Sequence, residues 1–289
     1  MTEYASRSLV AQVLQKAVQP LAAAGCDTPR LDAEVLLAHL LGQDRAWLYA
    51  HPEYSLSRSQ LSAYQSLVAR RAQREPIAYL TGHKEFYGLD LIVTPDVLIP
   101  RPETEHLVDR AVHWLTASAA PGIIADVGTG SGAIAVALAV HIPQAHIIAI
   151  DNSSAALTVA RRNTVRHGVA NRVHCLQGDL VTPLTGPLRL VVANPPYLRQ
   201  AELAAAPPEV ARWEPRAALD GGPDGLATIH RLLELASERL SPDGALLMEI
   251  GAQQGDDVLR LARHHLPTAT VEIARDYVGR DRVLIVHGG

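Results

Sequence analysis

Cysteine, aromatic side chains, basic runs and long apolar runs are all scarce in this sequence, and each scarcity excludes something. Only two of the 289 residues are cysteines, Cys26 and Cys175. They lie far apart, one in an expected helical stretch and one in an expected strand, so they offer neither a disulfide framework nor a metal-ligand spacing. The 13 histidines form no ligand cluster. His264-His265 falls at an expected helix end, where a cation is favoured in any case, and no metal is expected. Aromatic residues make up 4%, with a single Phe, against 48% hydrophobic residues. A sizeable core therefore has to be built from Leu, Val, Ile and Ala. The formal net charge is −4 and no basic run of five exists, which counts against a dedicated nucleic-acid binder with its basic stripe. No stretch reaches the roughly 18 apolar residues of a membrane span. Met1 to Ser8 contains Glu3 and no long apolar run, unlike a signal peptide. A reducing, cytoplasmic setting is the default expectation.

The length suits one large domain, or a medium one with a smaller partner, at roughly 100–200 residues per domain. Residues 8–75 carry helical spacing: Leu9, Val13, Leu14 and Val18, then Leu31, Val35, Leu36, Leu40 and Leu41, then Leu61, Tyr64, Leu67 and Val68. Asp27-Thr28-Pro29 reads as a helix start, with Asp or Thr as cap and Pro in the first turn; Gly42 punctuates the end. The expected organisation is a helical module over 1–75, a β-hairpin linker over 76–95 and a larger domain over 96–289. Within the linker, Glu85 to Val93 reads as two short strands with a Gly in the turn. In the larger domain the apolar runs Ile123–Val127, Ala145–Ile150, Val173–Leu176, Leu188–Ala193 and Ala245–Ile250 alternate with helical stretches. Those stretches are Ala133–Val140, Ala155–His167, Leu226–Leu240 and Val258–Leu266. The alternation predicts an α/β fold, a mostly parallel sheet with helices on both faces. Thr270–Ile273 and Val283–Val286 have no helix between them, so an antiparallel C-terminal finish is expected. Ala201–Pro208 reads as a loop.

Asp126-Val127-Gly128-Thr129-Gly130-Ser131-Gly132 ends the first of these strands and opens a helix. The glycines permit a tight turn and close ligand approach, and the helix start offers free N–H groups. Gly128, Gly130 and Ala133 also fit the dinucleotide pattern, so the loop alone does not choose between nucleotides. The next strand ends in Asp151, 19 residues after Gly132, where a carboxylate can grip both ribose hydroxyls. NAD and S-adenosylmethionine both carry such a ribose. Alternatively Asp151 is a helix cap, a role Asn152 or Ser153 could fill equally well. The following strand ends near Asp179, either an acceptor for an adenine amino group or a turn residue.

After Leu188–Ala193 comes Asn194-Pro195-Pro196-Tyr197. With 4 Asn, 19 Pro and 8 Tyr, chance produces that tetrapeptide in roughly 5 of 10,000 such chains, so it calls for a reason. It stands at the C-terminal end of a strand, where open α/β sheets bind ligands. An amide or exocyclic amine is a poor nucleophile because its lone pair is delocalised. Two acceptors taking its two N–H hydrogens push density onto nitrogen and aim the lone pair. The Asn194 side-chain carbonyl and the Pro195 backbone carbonyl can be those acceptors. Proline fixes φ and hence the direction of the carbonyls, and Tyr197 can stack on a flat target. A sulfonium methyl then needs only in-line attack, so positioning is the main catalytic device. Nicotinamide chemistry has no use for such an arrangement.

Together these motifs resemble class I S-adenosylmethionine-dependent methyltransferases acting on planar nitrogen, with their Rossmann-like sheet. Further segments narrow the likeness: Glu85-Phe86-Tyr87-Gly88-Leu89, then Leu98-Ile99-Pro100-Arg101-Pro102-Glu103-Thr104-Glu105, and the late Asp276-Tyr277, Gly279-Arg280 and Arg282-Val283. With a helical N-terminal module of this size, they are similar to the release-factor glutamine methyltransferase family over nearly the whole chain. The resemblance implies methyl transfer from S-adenosyl-L-methionine, leaving S-adenosyl-L-homocysteine. The acceptor would be the N5 amide nitrogen of the glutamine in the Gly-Gly-Gln motif of class 1 peptide chain release factors. No nucleic-acid, membrane or metal partner is implied. Cofactor contacts would come from Gly128, Thr129, Gly130, Ser131, Gly132, Asp151, Asp179, Leu180 and Asn194. The target would be held by Asn194, Pro195, Pro196 and Tyr197, with Asn194 and Pro195 catalytic. Some members carry an aromatic residue where this chain has Leu180, whose apolar side chain can still cover an adenine face.

Pro100 to Glu105 reads in two ways: it lines or covers the cofactor pocket, or Arg101, Glu103 and Glu105 form ion pairs starting a helix over Leu107–Leu115. Rival activities share much of this. An adenine-N6 nucleic-acid methyltransferase uses the same acceptors on a flipped base, but needs a basic groove or a recognition domain. A glutamine methyltransferase acting on a ribosomal protein would differ in the 1–75 module, expected to recognise the substrate.

Overall fold

Helical spacing at Val10, Val13, Leu14, Ala17 and Leu21 lines one face of α1 (Val10–Ala23) with buried side chains. The computed structural model describes residues 8–117 and 122–288. They fall into two units that divide after Gly82. Around α1 the first unit sets α2 (Pro29–Leu41), α3 (Arg45–Ala50), α4 (Arg58–Ala72) and α5 (Ile77–Thr81), with a short antiparallel pair, β1 (Ser8–Leu9) and β2 (Ser55–Leu56). Helix α2 is central: Ala33, Leu36, Leu37 and Ala38 are buried, and so are Asp32 and Glu34. Burying an unpaired carboxylate costs several kcal/mol, and both are paired. Arg71 Nε donates to Asp32 at 2.7 Å, and Glu34 accepts from Arg30, Arg45 and Tyr49. The start of α2 departs from expectation. Pro29 takes the first turn, but the Thr28 hydroxyl donates to Asp32 at 2.8 Å and caps no backbone N–H. Cys26 lies in the turn after α1 instead of in a helix. Gly42 closes α2 at φ 63°, a left-handed conformation that glycine adopts without strain.

The segment 76–95 contains α5, then the antiparallel hairpin β3 (His83–Phe86) and β4 (Leu89–Ile92), turning at Tyr87-Gly88. The hairpin is tied to the second unit. The Asn163 side chain bonds both backbone groups of Ile92, at 2.8 and 2.9 Å, and Phe86 and Leu91 join that unit's core.

The second unit continues with a 3-10 turn at Pro102–Thr104, α6 (Glu105–Ala117), β5 (Ile123–Val127), α7 (Ala133–His141), β6 (Ile147–Asp151), α8 (Ser154–Arg166) and β7 (Val173–Gln177). Then come β8 (Leu188–Ala193), α9 (Gln200–Ala205), α10 (Pro208–Trp213), α11 (Ala227–Ser237), β9 (Leu240–Glu249), α12 (Gly255–His265), β10 (Thr270–Arg275) and β11 (Asp281–His287). The strand order is β10-β11-β9-β8-β5-β6-β7. Six strands run in one direction and β11 alone runs antiparallel, between β9 and β10. Two apolar layers cover the faces, one built on α6 and α7 with the hairpin, the other on α11 and α12. Buried on both sides, β5 and β8 are apolar except for the buried Asp126 and Arg189, and their apolar stretches make their bounds legible in the sequence. Ala201–Pro208 is not the expected loop. Arg199 N donates to Glu202 at 2.9 Å, starting α9, and the alanines favour helix until Pro207 stops it. Among the described residues no helix is long and apolar enough to cross a membrane.

Candidate active site

Sheet register brings the motifs into one row. Ile150 pairs with Val127, Val127 with Ala193, and Ala193 with Met248. The next residue on each strand is Asp151, Gly128, Asn194 and Glu249, along the C-terminal edge of β6, β5, β8 and β9. Strands stand about 4.8 Å apart, so Asp151 and Asn194 are separated by about 10 Å across the point where the strand order reverses.

Gly128, Gly130 and Gly132 have φ of 71°, 55° and 81°, values that disfavour any side chain. A Cβ on Gly132 would stand 3.2 Å from that of Ala160, so the third glycine also admits close approach of α8. Space is open at the Cβ positions of Gly128 and Gly130. Thr129 and Ser131 are buried, and the Thr129 hydroxyl donates to Asp126 Oδ2 at 2.6 Å.

Asp151 braces this loop. Its Oδ2 accepts from Gly130 N and its Oδ1 from Ser153 N, each at 2.9 Å. The cap of α8 is Ser153, accepting from Ala156 N at 3.1 Å. The carboxylate is therefore not needed as a cap, and each oxygen keeps a lone pair for a hydroxyl. Beneath it Asp126 is fully buried. Desolvation pushes its carboxyl up to about 7, with the Asp151 charge adding and hydrogen bonds from Thr129 and Ala135 opposing. Asp179 is exposed and ion-paired with Arg231 at 2.5 Å. Leu180 adopts φ 51° beside it, a left-handed conformation costing a non-glycine residue about 1–2 kcal/mol.

At the other end of the row, Asn194 Nδ2 donates to Thr104 Oγ1 at 3.0 Å. Thr104 Oγ1 donates to Glu249 Oε2 at 2.6 Å, and Tyr197 OH to Glu249 Oε1 at 3.0 Å. Glu249 is 1% exposed, and burial raises its carboxyl above the ordinary range. Burial likewise raises the Tyr197 phenol. The carbonyl of Tyr197 accepts from Gln254 Nε2 at 3.1 Å. A Cβ on Gly225 would stand 2.4 Å from that carbonyl, so only glycine fits there. Among the described residues, neither Asn194 Oδ1 nor the Pro195 carbonyl accepts a hydrogen bond.

The Pro100–Glu105 stretch does not start its helix with internal ion pairs. Arg101 pairs with Glu214, which also accepts from Ile99 N at 3.3 Å. Glu105 accepts from Tyr87 N at 2.9 Å. Thr104 and Glu249 were not singled out from the sequence. For Glu249 a signal existed, a lone carboxylate inside the apolar run Ala245–Ile250.

The strand order and the row along its C-terminal edge define a class I, Rossmann-like methyltransferase. The catalytic domain of hMettl16, solved with an RNA hairpin, shares the fold with a TM-score of 0.53 at 17% identity, over 76% of this chain and 81% of that one. Residues 12–82 match the model described as PrmC N-terminal domain, and residues 107–208 the model described as Methyltransferase small domain. The release factor glutamine methyltransferase of Moorella thermoacetica is 46% identical over 96% of this chain and 97% of its own length. That of Geobacter sulfurreducens is 44% identical over 90% of each. The chain belongs to the release factor glutamine methyltransferase family, whose members are S-adenosylmethionine-dependent enzymes.

Proposed function

We propose that this chain methylates the N5 amide nitrogen of the glutamine in the Gly-Gly-Gln motif of class 1 release factors. The observation that carries the reading is the pair of unpartnered acceptors, Asn194 Oδ1 and the Pro195 carbonyl, one strand away from the glycine loop. The loop fits S-adenosylmethionine: backbone is open at Gly128 and Gly130, and a braced carboxylate stands beside it at Asp151. When bound, the cofactor supplies an electrophilic methyl group on a sulfonium. Asp151 would hold the ribose hydroxyls, and Gly128–Gly132 would approach the cofactor through backbone. Asp179 and Leu180 would contact the adenine, Asp179 once it turns from Arg231 and Leu180 through its apolar side chain.

Asn194 Oδ1 and the Pro195 carbonyl each take one N–H of the target amide, which raises density on its nitrogen and aims the lone pair along the row. Pro196 holds the chain direction and Tyr197 packs its ring beside the flat target, its hydroxyl tied back to Glu249. The nitrogen loses its extra proton after transfer, so no tuned base is required. Alignment supplies the rate.

The helical unit is proposed to recognise the release factor, because a glycine-rich loop offers far less than the roughly 800 Å² per partner that specific protein binding uses. A release-factor substrate sets the enzyme in the cytoplasm. The test incubates the purified chain with labelled S-adenosylmethionine and, separately, a release factor, duplex DNA and ribosomal proteins. Label should appear on the release factor alone, at the Gly-Gly-Gln glutamine by tandem mass spectrometry. Label on nucleic acid or a ribosomal protein instead would overturn the assignment.

A further inference from the structure

Asn194 can serve as an acceptor only if its side-chain amide faces the right way, and nothing within the Asn-Pro-Pro-Tyr motif sets that direction. The proton count at Thr104 does. Its hydroxyl carries one hydrogen, committed to Glu249 Oε2 at 2.6 Å. With that hydrogen committed, the Thr104 oxygen can only accept. The Asn194 atom facing it at 3.0 Å is therefore the NH₂ group, and Oδ1 is turned the other way. Rotated by half a turn, Oδ1 would meet an oxygen with no hydrogen to give. The NH₂ group would then confront the two N–H hydrogens of a target amide. Both oxygens of Glu249 accept, one from Thr104 and one from Tyr197, so the pattern is that of a carboxylate.

We propose that Glu249 and Thr104 are positioning residues: the buried carboxylate polarises the Thr104 hydroxyl, which in turn fixes the Asn194 amide with its oxygen toward the substrate. The inference rests on the reading of Asn194 as an acceptor for the target amide. Nothing in a purely structural role requires this arrangement. A hydrophobic residue at 249 would suit the apolar strand better, since a buried carboxylate is costly to desolvate. Desolvation by burial acts most strongly and opposes the charged form; of the groups facing the carboxylate, Thr104 and Tyr197 favour that form through their hydrogen bonds and Arg282 through its charge, and Glu103 opposes it.

The test is a mutant cycle in the full-length enzyme. Thr104→Val keeps the shape and removes the hydroxyl. It should lower kcat by about 30-fold while leaving cofactor Kd and release-factor KM within about threefold, since alignment acts in the transition state. Thr104→Ser restores the hydroxyl and should return kcat to within about threefold of wild type. In an Asn194→Ala background, with residual transfer followed by labelled cofactor, Thr104→Val should cost less than about twofold more, because Thr104 acts through Asn194. Equal losses in both backgrounds would make Thr104 a packing residue and overturn the proposal. If Thr104→Val does not fold, Glu249→Gln takes its place. One acceptor becomes a donor, Thr104 and Tyr197 cannot both donate, and kcat should fall about tenfold. An unchanged kcat would overturn the proposal. A fully active Asn194→Ala enzyme would remove the reading underneath. An inactive Asn194→Ala beside a fully active Thr104→Val would remove the positioning role alone.

Discussion

Asp151→Ala separates cofactor binding from chemistry. In the structure each Asp151 oxygen already takes one backbone N–H, from Gly130 and from Ser153, and each has one lone pair left for a ribose hydroxyl. Hydrogen bonds to a charged acceptor contribute about 1.5–3 kcal/mol each. The alanine variant loses two of them to the cofactor and also frees Gly130, which can then hydrogen-bond to water because the loop is open there. Allowing for that partial compensation, S-adenosylmethionine binding should weaken by about 2–4 kcal/mol, which is about thirtyfold to a thousandfold in Kd. Asp151→Asn keeps one full acceptor and should lose about half as much. The α8 cap is Ser153, so neither variant removes it. Isothermal titration with S-adenosylmethionine gives Kd, and turnover at saturating cofactor should stay within about threefold of wild type, because the acceptors for the target amide stand two strands away. An Asp151→Ala protein with wild-type melting temperature and unchanged Kd would refute the reasoning and reduce Asp151 to a brace for its own loop.

The complementary change, Asn194→Ala, should leave cofactor Kd within about tenfold while cutting kcat by about a hundredfold or more, about 3 kcal/mol of alignment; near-normal turnover of the pure variant would remove Asn194 from the chemistry. Asp126 predicts a pH dependence of stability. Its folded carboxyl is raised to about 7 by burial, so its neutral form suits the fold. The stabilisation is complete below the ordinary carboxylate range and is lost as pH rises through 7, by on the order of 4 kcal/mol. Urea melts from pH 4 to 8 should show wild type losing stability relative to Asp126→Asn over that window; parallel curves would contradict the raised value. Removing residues 1–82 should leave a protein that folds, since Phe86 and Leu91 of the hairpin are buried in the sheet unit's own core. It should bind cofactor as before and show a KM for intact release factor raised at least about tenfold. Full efficiency on that substrate would end the recognition role of the helical unit.

What the sequence made legible follows from how local each signal is. Strands β5 and β8 are mostly apolar stretches between turn residues, broken only by Asp126 and Arg189, and their bounds matched because composition and punctuation agreed within one window. The Gly128–Gly132 loop and the Asn194–Tyr197 tetrapeptide are contiguous, so residue type and spacing already define what the backbone must do there. The misreadings have the opposite origin. Thr28 should cap α2 by local rules, but Asp32, four residues on, takes its hydroxyl because that buried carboxylate needs donors. Ala201–Pro208 lost its helix to a reading of composition, when the Arg199–Glu202 contact and the alanines decide the local conformation.

The connection that sets the direction of Asn194 lies furthest from any local rule. Thr104 is 90 residues before Asn194 and Glu249 is 145 residues after Thr104. The three meet only because β8 and β9 are neighbours in register and the 3-10 turn at 102–104 is held over their ends. A carboxylate in an apolar strand is costly unless the fold gives it donors. Glu249 was therefore a residue whose chemistry announced distant partners, and reading the run Ala245–Ile250 for its exception as well as its apolar pattern would have placed a second polar group at this edge of the sheet.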